Sequence, residues 1–204
     1  EEVQAILDRL PGERQTLLFS ATWPPVMAEL SGRIQTDPIT VGSGDRVDPE
    51  LLRQSAVLCA WDERPEALCG VFREREPVPT LVFCETRAQC REVTAALQAR
   101  GAAALALHGE LEQRDRDEVL VRFRNGSACI LVATNVAARG LDVAGIGLVV
   151  CYEISPDPAV HLHRIGRTAR AEASGEAVTL VAGEGKELRR LEAVDQFLGS
   201  PIPR

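Results

Sequence analysis

The chain has 204 residues and a mass of 22.1 kDa, enough for one domain or for one domain and part of another. Apolar residues make up 45% and charged residues 26%, an ordinary globular composition, and no apolar run approaches the ~20 residues of a membrane helix. A net charge of −7 and a pI near 5.1 exclude a polybasic nucleic-acid coat but leave room for a local basic patch.

In chain order, residues 1–10 read as a short amphipathic helix stopped by Pro11-Gly12. Thr16–Phe19 has the apolar character of a buried strand. Pro24 and Pro25 suit the first turn of a helix, and Ile39–Val41 reads as another short strand. The polar, glycine-containing stretch Gly42–Pro49 lacks periodicity and reads as a linker. From about Leu51 onward, strands alternate with helices. Strands are expected at Gln54–Ala60, Thr80–Cys84, Ala103–Leu107, Cys129–Ala133, Leu148–Tyr152 and Ala177–Val181. Helices are expected near Pro65–Glu74, Ala88–Arg100, Glu112–Phe123, Ala159–Ala169 and Lys186–Leu198. Continuous apolar strands separated by helices predict an α/β fold, a parallel sheet with helices on both faces. Ligands of such sheets bind at the carboxyl ends of the strands.

The six cysteines show no CxxC spacing, and several lie inside apolar runs. They read as reduced thiols of a cytoplasmic protein, with no metal site. The chain begins with Glu1, carries no signal-peptide pattern and reads as a piece of something longer. Its single lysine, Lys186, follows Gly185 but precedes Glu187, so a Gly-Lys-Ser/Thr phosphate loop is absent from these residues. Nucleotide chemistry must therefore be shared with residues outside them.

The strand ends carry the candidates. Ala133–Asp142 is a run of small residues with a hydroxyl, an Arg and an Asp. It reads either as a phosphate-approaching turn or as a plain strand-to-helix turn capped by Asp142. His163, Arg167 and Arg170, spaced i, i+4 and i+7 on an expected helix, form one stripe, and Gly166 sits in mid-helix. An anion between the arginines and a solvated basic face both fit that stripe. His108-Gly109 precedes Gln113 and Arg116 at a helix start, which suits either a phosphate or a capping arrangement. Phe83, taken alone, reads as core rather than as a stacking platform.

Together, Ser20-Ala21-Thr22, Phe83–Thr86, Gln113-x-x-Arg116, Ala133–Asp142 and His163–Arg170 resemble motifs III, IV, IVa, V and VI of the DEAD-box RNA helicases, in order and in spacing. Arg14–Pro24 and His108–Asp117 look most like a bacterial branch of that family that works in ribosome assembly on 23S rRNA. The resemblance implies a RecA-like, P-loop NTPase-type sheet. Residues 1–42 would be the tail of a first RecA-like domain, 43–50 a linker, and 51–204 the second RecA-like domain. It implies ATP-dependent unwinding of short RNA duplexes in the cytoplasm, with ATP and Mg²⁺ as cofactors and RNA, ribosomal RNA in this branch, as partner. The missing first domain would act in cis, hold most of the Mg²⁺ contacts and supply the Walker A loop and the acidic box. It implies that Ser20 and Thr22 link hydrolysis to domain closure, that Arg167 and Arg170 are arginine fingers, and that His163 connects the site to the first domain. Asp142 and Gly140 would hold the nucleotide. Thr86, Gly109, Gln113, Arg116 and Thr134 would line the RNA backbone. Two departures stand out: Asn135 where the branch usually has Asp, and Glu172 where Gly usually stands. A non-catalytic RNA-binding or protein-docking module derived from such a motor is the competing reading.

Overall fold

The computed structural model describes residues 2–20, 25–41, 51–75, 77–138, 143, 145–169 and 173–204. The chain forms two compact units, Glu1–Arg46 and Val47–Arg204. The linker expected at 43–50 lies outside the described residues.

The first unit contains α1 (Glu2–Leu7) and α2 (Pro25–Ile34). The strands expected at Thr16–Phe19 and Ile39–Val41 are not formed: both segments are irregular, and Leu17, Phe19, Ile39 and Val41 are exposed. The reason is physical. A strand needs a neighbour to satisfy its N–H and C=O groups, and among the described residues neither segment pairs with one. Instead the Gln35 amide donates to the Thr16 carbonyl at 2.9 Å, and the Ser31 hydroxyl donates to Gln35 Oε1 at 2.7 Å.

The second unit runs β1 (Leu52–Cys59), α3 (Arg64–Arg73), β2 (Thr80–Cys84), α4 (Arg87–Ala99), β3 (Ala104–Leu107), α5 (Gln113–Arg124), β4 (Ile130–Thr134), α6 (Asn135–Ala138), β5 (Leu148–Cys151), α7 (Pro158–Ile165), β6 (Gly175–Ala182) and α8 (Lys186–Leu198). The strands form one sheet in the order β1-β6-β5-β2-β4-β3, and every pairing is parallel. Alternate residues of each strand serve opposite faces. Val82, Val132, Val150 and Val178 pack with Leu68 and Val71 of α3 and with Cys90, Val93 and Leu97 of α4. Leu81, Phe83, Leu131, Ala133 and Val149 pack on the other face with Phe123 of α5, Ala137 and Ala138 of α6, and Ile165 of α7. Leu191 and Val194 of α8 cover Ala56 and Val181 at the β1 end. Phe83 is thus core, at 2% exposure.

Helix α7 differs from its expected extent. It starts where Pro158 and the Asp157 cap allow, with Asp157 Oδ1 accepting from the Ala159 N–H at 2.9 Å. It stops at Ile165, four residues early, with Gly166 as its C-cap. Arg167–Ala169 continue as turns, and Ala169 takes a φ of +53°. Gly166 is therefore a helix stop rather than a mid-helix glycine, and Arg167 lies past the helix end rather than on its stripe with His163; Arg170 lies outside the described residues. The turn is anchored by the Thr168 hydroxyl, which donates to the Ile146 carbonyl at 2.6 Å. Gly175 lies against it: a Cβ there would stand 2.0 Å from Thr168 Oγ1 and 2.5 Å from the Ala169 nitrogen.

His161, on the inner face of α7, is fully buried, and neither ring nitrogen has a hydrogen-bond partner among the described residues. Burial first, and the nearby Arg164 charge second, push its pKa down to about 4.

Two outcomes follow. Unfolded His161 takes up a proton below about pH 6.5, whereas folded His161 stays neutral to about pH 4, so the folded state is penalised as pH falls through that window. Relative to His161→Leu, the wild type should lose about 3 kcal/mol between pH 7 and pH 4 in chemical denaturation; a pH-independent difference would contradict the burial account. Gly175→Ala should cost about 1–3 kcal/mol, because the added methyl meets a side chain and a backbone nitrogen that cannot yield together. Unchanged thermal stability of that variant would contradict the packing described for the turn.

Candidate functional site

Because all six strands are parallel, their carboxyl ends share one edge. Those of β5, β2 and β4 are adjacent in the sheet, and β3 follows β4. Cys84 is level with Thr134, and Leu107 with Ala133. Four chain segments that are far apart in sequence thereby begin side by side: Glu85-Thr86, Asn135, Tyr152-Glu153 and His108-Gly109.

Two arginines that water barely reaches hold this edge. Arg164 of α7 is 2% exposed and uses all three guanidinium nitrogens. Nε donates to Asn135 Oδ1 at 2.7 Å, Nη1 to the Glu153 carbonyl at 2.9 Å, and Nη2 to the Glu85 carboxylate at 2.5 Å. Its guanidinium carbon lies 5.5 Å from the centre of the Phe83 ring. Arg64, at the start of α3, is 1% exposed. It pairs with Glu153 Oε1 at 3.3 Å and with Glu187 Oε2, and it stacks 4.1 Å from the centre of the Trp61 ring. Glu187 also accepts from the Ala182 N–H at 2.7 Å. Glu153 thus joins the two clusters, its side chain serving Arg64 and its carbonyl Arg164. Buried charges of this kind persist only when they are paired, and both arginines are; among the described residues Arg64 Nε still finds no hydrogen-bond partner.

The expected contact residues are placed around this frame. Thr86 caps α4: its Oγ1 accepts from the Gln89 N–H at 3.2 Å, which leaves the hydroxyl hydrogen available to donate. Thr134 is the last residue of β4 and is 6% exposed. Gly109 lies in the turn after β3, and a Cβ at that position would meet nothing within 4 Å. Gln113 opens α5, with one amide hydrogen held by Asp117 at 2.8 Å. Arg116 is half-buried and donates to the Ala137 carbonyl at 2.7 Å, so it ties α5 to α6. His163 is exposed, on the side of α7 away from His161 and Arg164. Arg167 is half-buried just past the helix end, its N–H bonded to the Arg164 carbonyl at 3.1 Å. Ser20 is described in the first unit, where it is exposed. Thr22, Gly140, Asp142, Arg170 and Glu172 lie outside the described residues.

Motif lettering and helical spacing missed Arg64, Glu85, Glu153, Arg164 and Glu187 as members of the site. The one available signal was an arginine at i+3 from His161 and one residue before Ile165, on the face of α7 that is buried. The cysteines contribute no reactive group there. Burial pushes the Cys84 and Cys151 thiols up, and Cys90 up to about 11, so all three stay protonated. Among the described residues, no three His, Cys, Asp or Glu side chains come together as a metal-holding group.

The helicase conserved C-terminal domain model matches residues 63–172, more than half of the chain. The chain is 46% identical over 200 residues to the ATP-dependent RNA helicase DbpA of Escherichia coli, covering 97% of this chain and 43% of the relative. It therefore spans less than half the length of that relative. A DEAD-box protein of Methanococcus jannaschii superposes with a TM-score of 0.71 at 31% identity, covering 99% of this chain and 54% of that one. Saccharomyces cerevisiae Dbp5, bound to RNA and ADP BeF3, superposes with a TM-score of 0.83 at 25% identity, covering 97% of this chain and 54% of that one. The chain belongs to the helicase conserved C-terminal domain family, and its six-stranded parallel sheet has the RecA-like fold of the C-terminal domains of DEAD-box proteins.

Proposed function

We propose that the chain is the RNA-gripping and phosphate-sensing part of an ATP-dependent RNA helicase that opens short duplexes. The observation that carries this reading is the convergence of Thr86, Gly109 and Thr134 at adjacent strand ends. These groups offer hydroxyl and main-chain donors, with Arg116 nearby in sequence from Gly109, and donors of this type read phosphate and sugar rather than base edges. That explains how a chain of charge −7 grips RNA: only the local groups need be favourable. The likeness to Dbp5 bound to RNA and ADP BeF3 supports the same reading.

ATP turnover requires a phosphate loop that these 204 residues lack, since Lys186 is the single lysine and has Glu187 after it. In our reading a first RecA-like domain, of which residues 1–42 are the tail, supplies that loop and the main Mg²⁺ contacts. Residues 43–50 link it to the second domain, 51–204. Arg167 and Arg170 stabilise charge on the transferring phosphate. His163, Ser20 and Thr22 couple the two halves, and Asp142 and Gly140 hold the nucleotide. The 46% identity to DbpA supports a cytoplasmic role in assembly of the large ribosomal subunit, on 23S rRNA. The absence of the loop from these residues is also what a non-catalytic binding module would show, and the same experiment separates the two.

The purified chain should bind a ten-nucleotide oligouridylate with salt-dependent affinity and show no RNA-stimulated ATP hydrolysis. Thr134→Val should weaken binding about 3- to 10-fold. Arg116→Ala should weaken it, reduce the salt slope by about 1 and, because Arg116 holds α6, cost about 1–2 kcal/mol of stability. Arg167→Ala should leave RNA affinity alone. In a chain extended by a Walker A-bearing first domain, it should cut turnover about 10³- to 10⁵-fold. Full turnover in that variant would remove Arg167 as a finger, and no RNA-stimulated turnover in the extended wild-type chain would favour the non-catalytic module.

A further inference from the structure

Among the described residues Arg164 donates to three oxygen acceptors, of which only Glu85 offers a carboxylate. The Glu153 partner is a main-chain carbonyl, since the Glu153 side chain is engaged by Arg64 at 3.3 Å. The Asn135 partner is a neutral amide oxygen, 2.7 Å from Nε. Glu85 and Asn135 follow Cys84 and Thr134, the paired last residues of adjacent strands. An Asp at 135 would present an oxygen where Asn135 Oδ1 already accepts. The charge opposing Arg164 can therefore come from the end of β2 or from the end of β4, and in this chain it comes from β2.

We propose that Glu85 is a positioning residue: its bond to the buried Arg164 fixes the start of α4, and so sets the Thr86 hydroxyl against Thr134 across the two strand ends. The consequence for RNA rests on the RNA reading above; the clamp itself does not. Glu85 is well placed for this task. Its own N–H donates to Gln89 Oε1 at 3.1 Å, and Thr86 Oγ1 accepts from the Gln89 N–H, so the first turn of α4 closes on these two residues. Removing the carboxylate leaves a buried guanidinium facing two neutral acceptors, the situation in which broken buried pairs are most costly. Supplying an Asp at 135 restores one negative charge from the neighbouring strand.

The test compares the wild-type chain, Glu85→Gln, Asn135→Asp and the double variant. Glu85→Gln should lower Tm by about 5–15 °C. Asn135→Asp should lower Tm or leave it unchanged in the wild-type background, but raise it in the Glu85→Gln background, a reversal of sign that independent sites do not show. Exchange of the Gln89 amide should quicken in Glu85→Gln and recover in the double variant. With all four chains folded, affinity for ten-nucleotide oligouridylate should fall about 3-fold or more in Glu85→Gln and return to within about 2-fold in the double variant. Additive Tm effects, or an unchanged Gln89 amide, would overturn the clamp. Coupled Tm effects with unaltered RNA affinity in Glu85→Gln would reduce Glu85 to a stabilising residue and overturn its positioning role. If the wild-type chain bound no RNA, the RNA reading would fail, and the Tm cycle and the Gln89 amide would still decide the clamp. If Glu85→Gln failed to fold, a folded double variant would support the proposal and an unfolded one would overturn it.

Discussion

Two guanidinium groups lie at the carboxyl edge of the sheet with almost no access to water, and the arrangement of the edge depends on them. Arg164 and Arg64 are 2% and 1% exposed. Taking such charges out of water costs several kcal/mol each, so they stay only while their partners stay. Those partners come from the ends of β2, β4 and β5 and from the first turn of α8. Each arginine is thus a constraint among segments that backbone pairing alone leaves separate. Beyond Cys84, Thr134 and Cys151 the ladder ends, and side-chain bonds take over its task.

The groups proposed to meet RNA and phosphate hang from this frame. Thr86 is one residue after Glu85, and Thr134 one before Asn135. Arg167 is hydrogen-bonded through its backbone to Arg164 itself. Donors held in advance of the ligand need little reordering when it arrives, and this is how fixed hydrogen-bond donors stabilise developing charge. The same logic accounts for the two neighbours of α7. Thr168 ties the turn to Ile146, and Gly175 leaves room for it.

Much of this was legible in the sequence, for identifiable reasons. The strand Thr80–Cys84 and the helix Lys186–Leu198 match their expected bounds to the residue, because each is a clear apolar or amphipathic run between breakers. Thr16–Phe19 and Ile39–Val41 have the same apolar character but form no strand. Pairing belongs to two segments at once, and composition reports only one of them. Helix α7 ends four residues before its expected end; its stop, Gly166, is an interior letter of a familiar motif. Four-residue α6 is shorter than any periodicity can reveal. The buried arginines were hidden for a further reason. An arginine in a sequence reads as surface, and only the converging ends of β5, β2 and β4 show that Arg164 has acceptors on every side. Asn135 was legible as a departure from the family pattern; that Glu85 carries the opposing charge was not, since residues 85 and 135 meet only once strand order is known.

The central claim is that RNA meets the carboxyl edge of this sheet at the residues the two arginines hold in place. Amide chemical-shift mapping of the chain during titration with a ten-nucleotide oligouridylate tests it most directly. The account predicts shifts concentrated at Thr86, Gly109, Gln113 and Thr134, with Gly101, Gly126 and Gly147 at the opposite ends of the strands unmoved. Shifts centred on that opposite edge, with the first group silent, would contradict it.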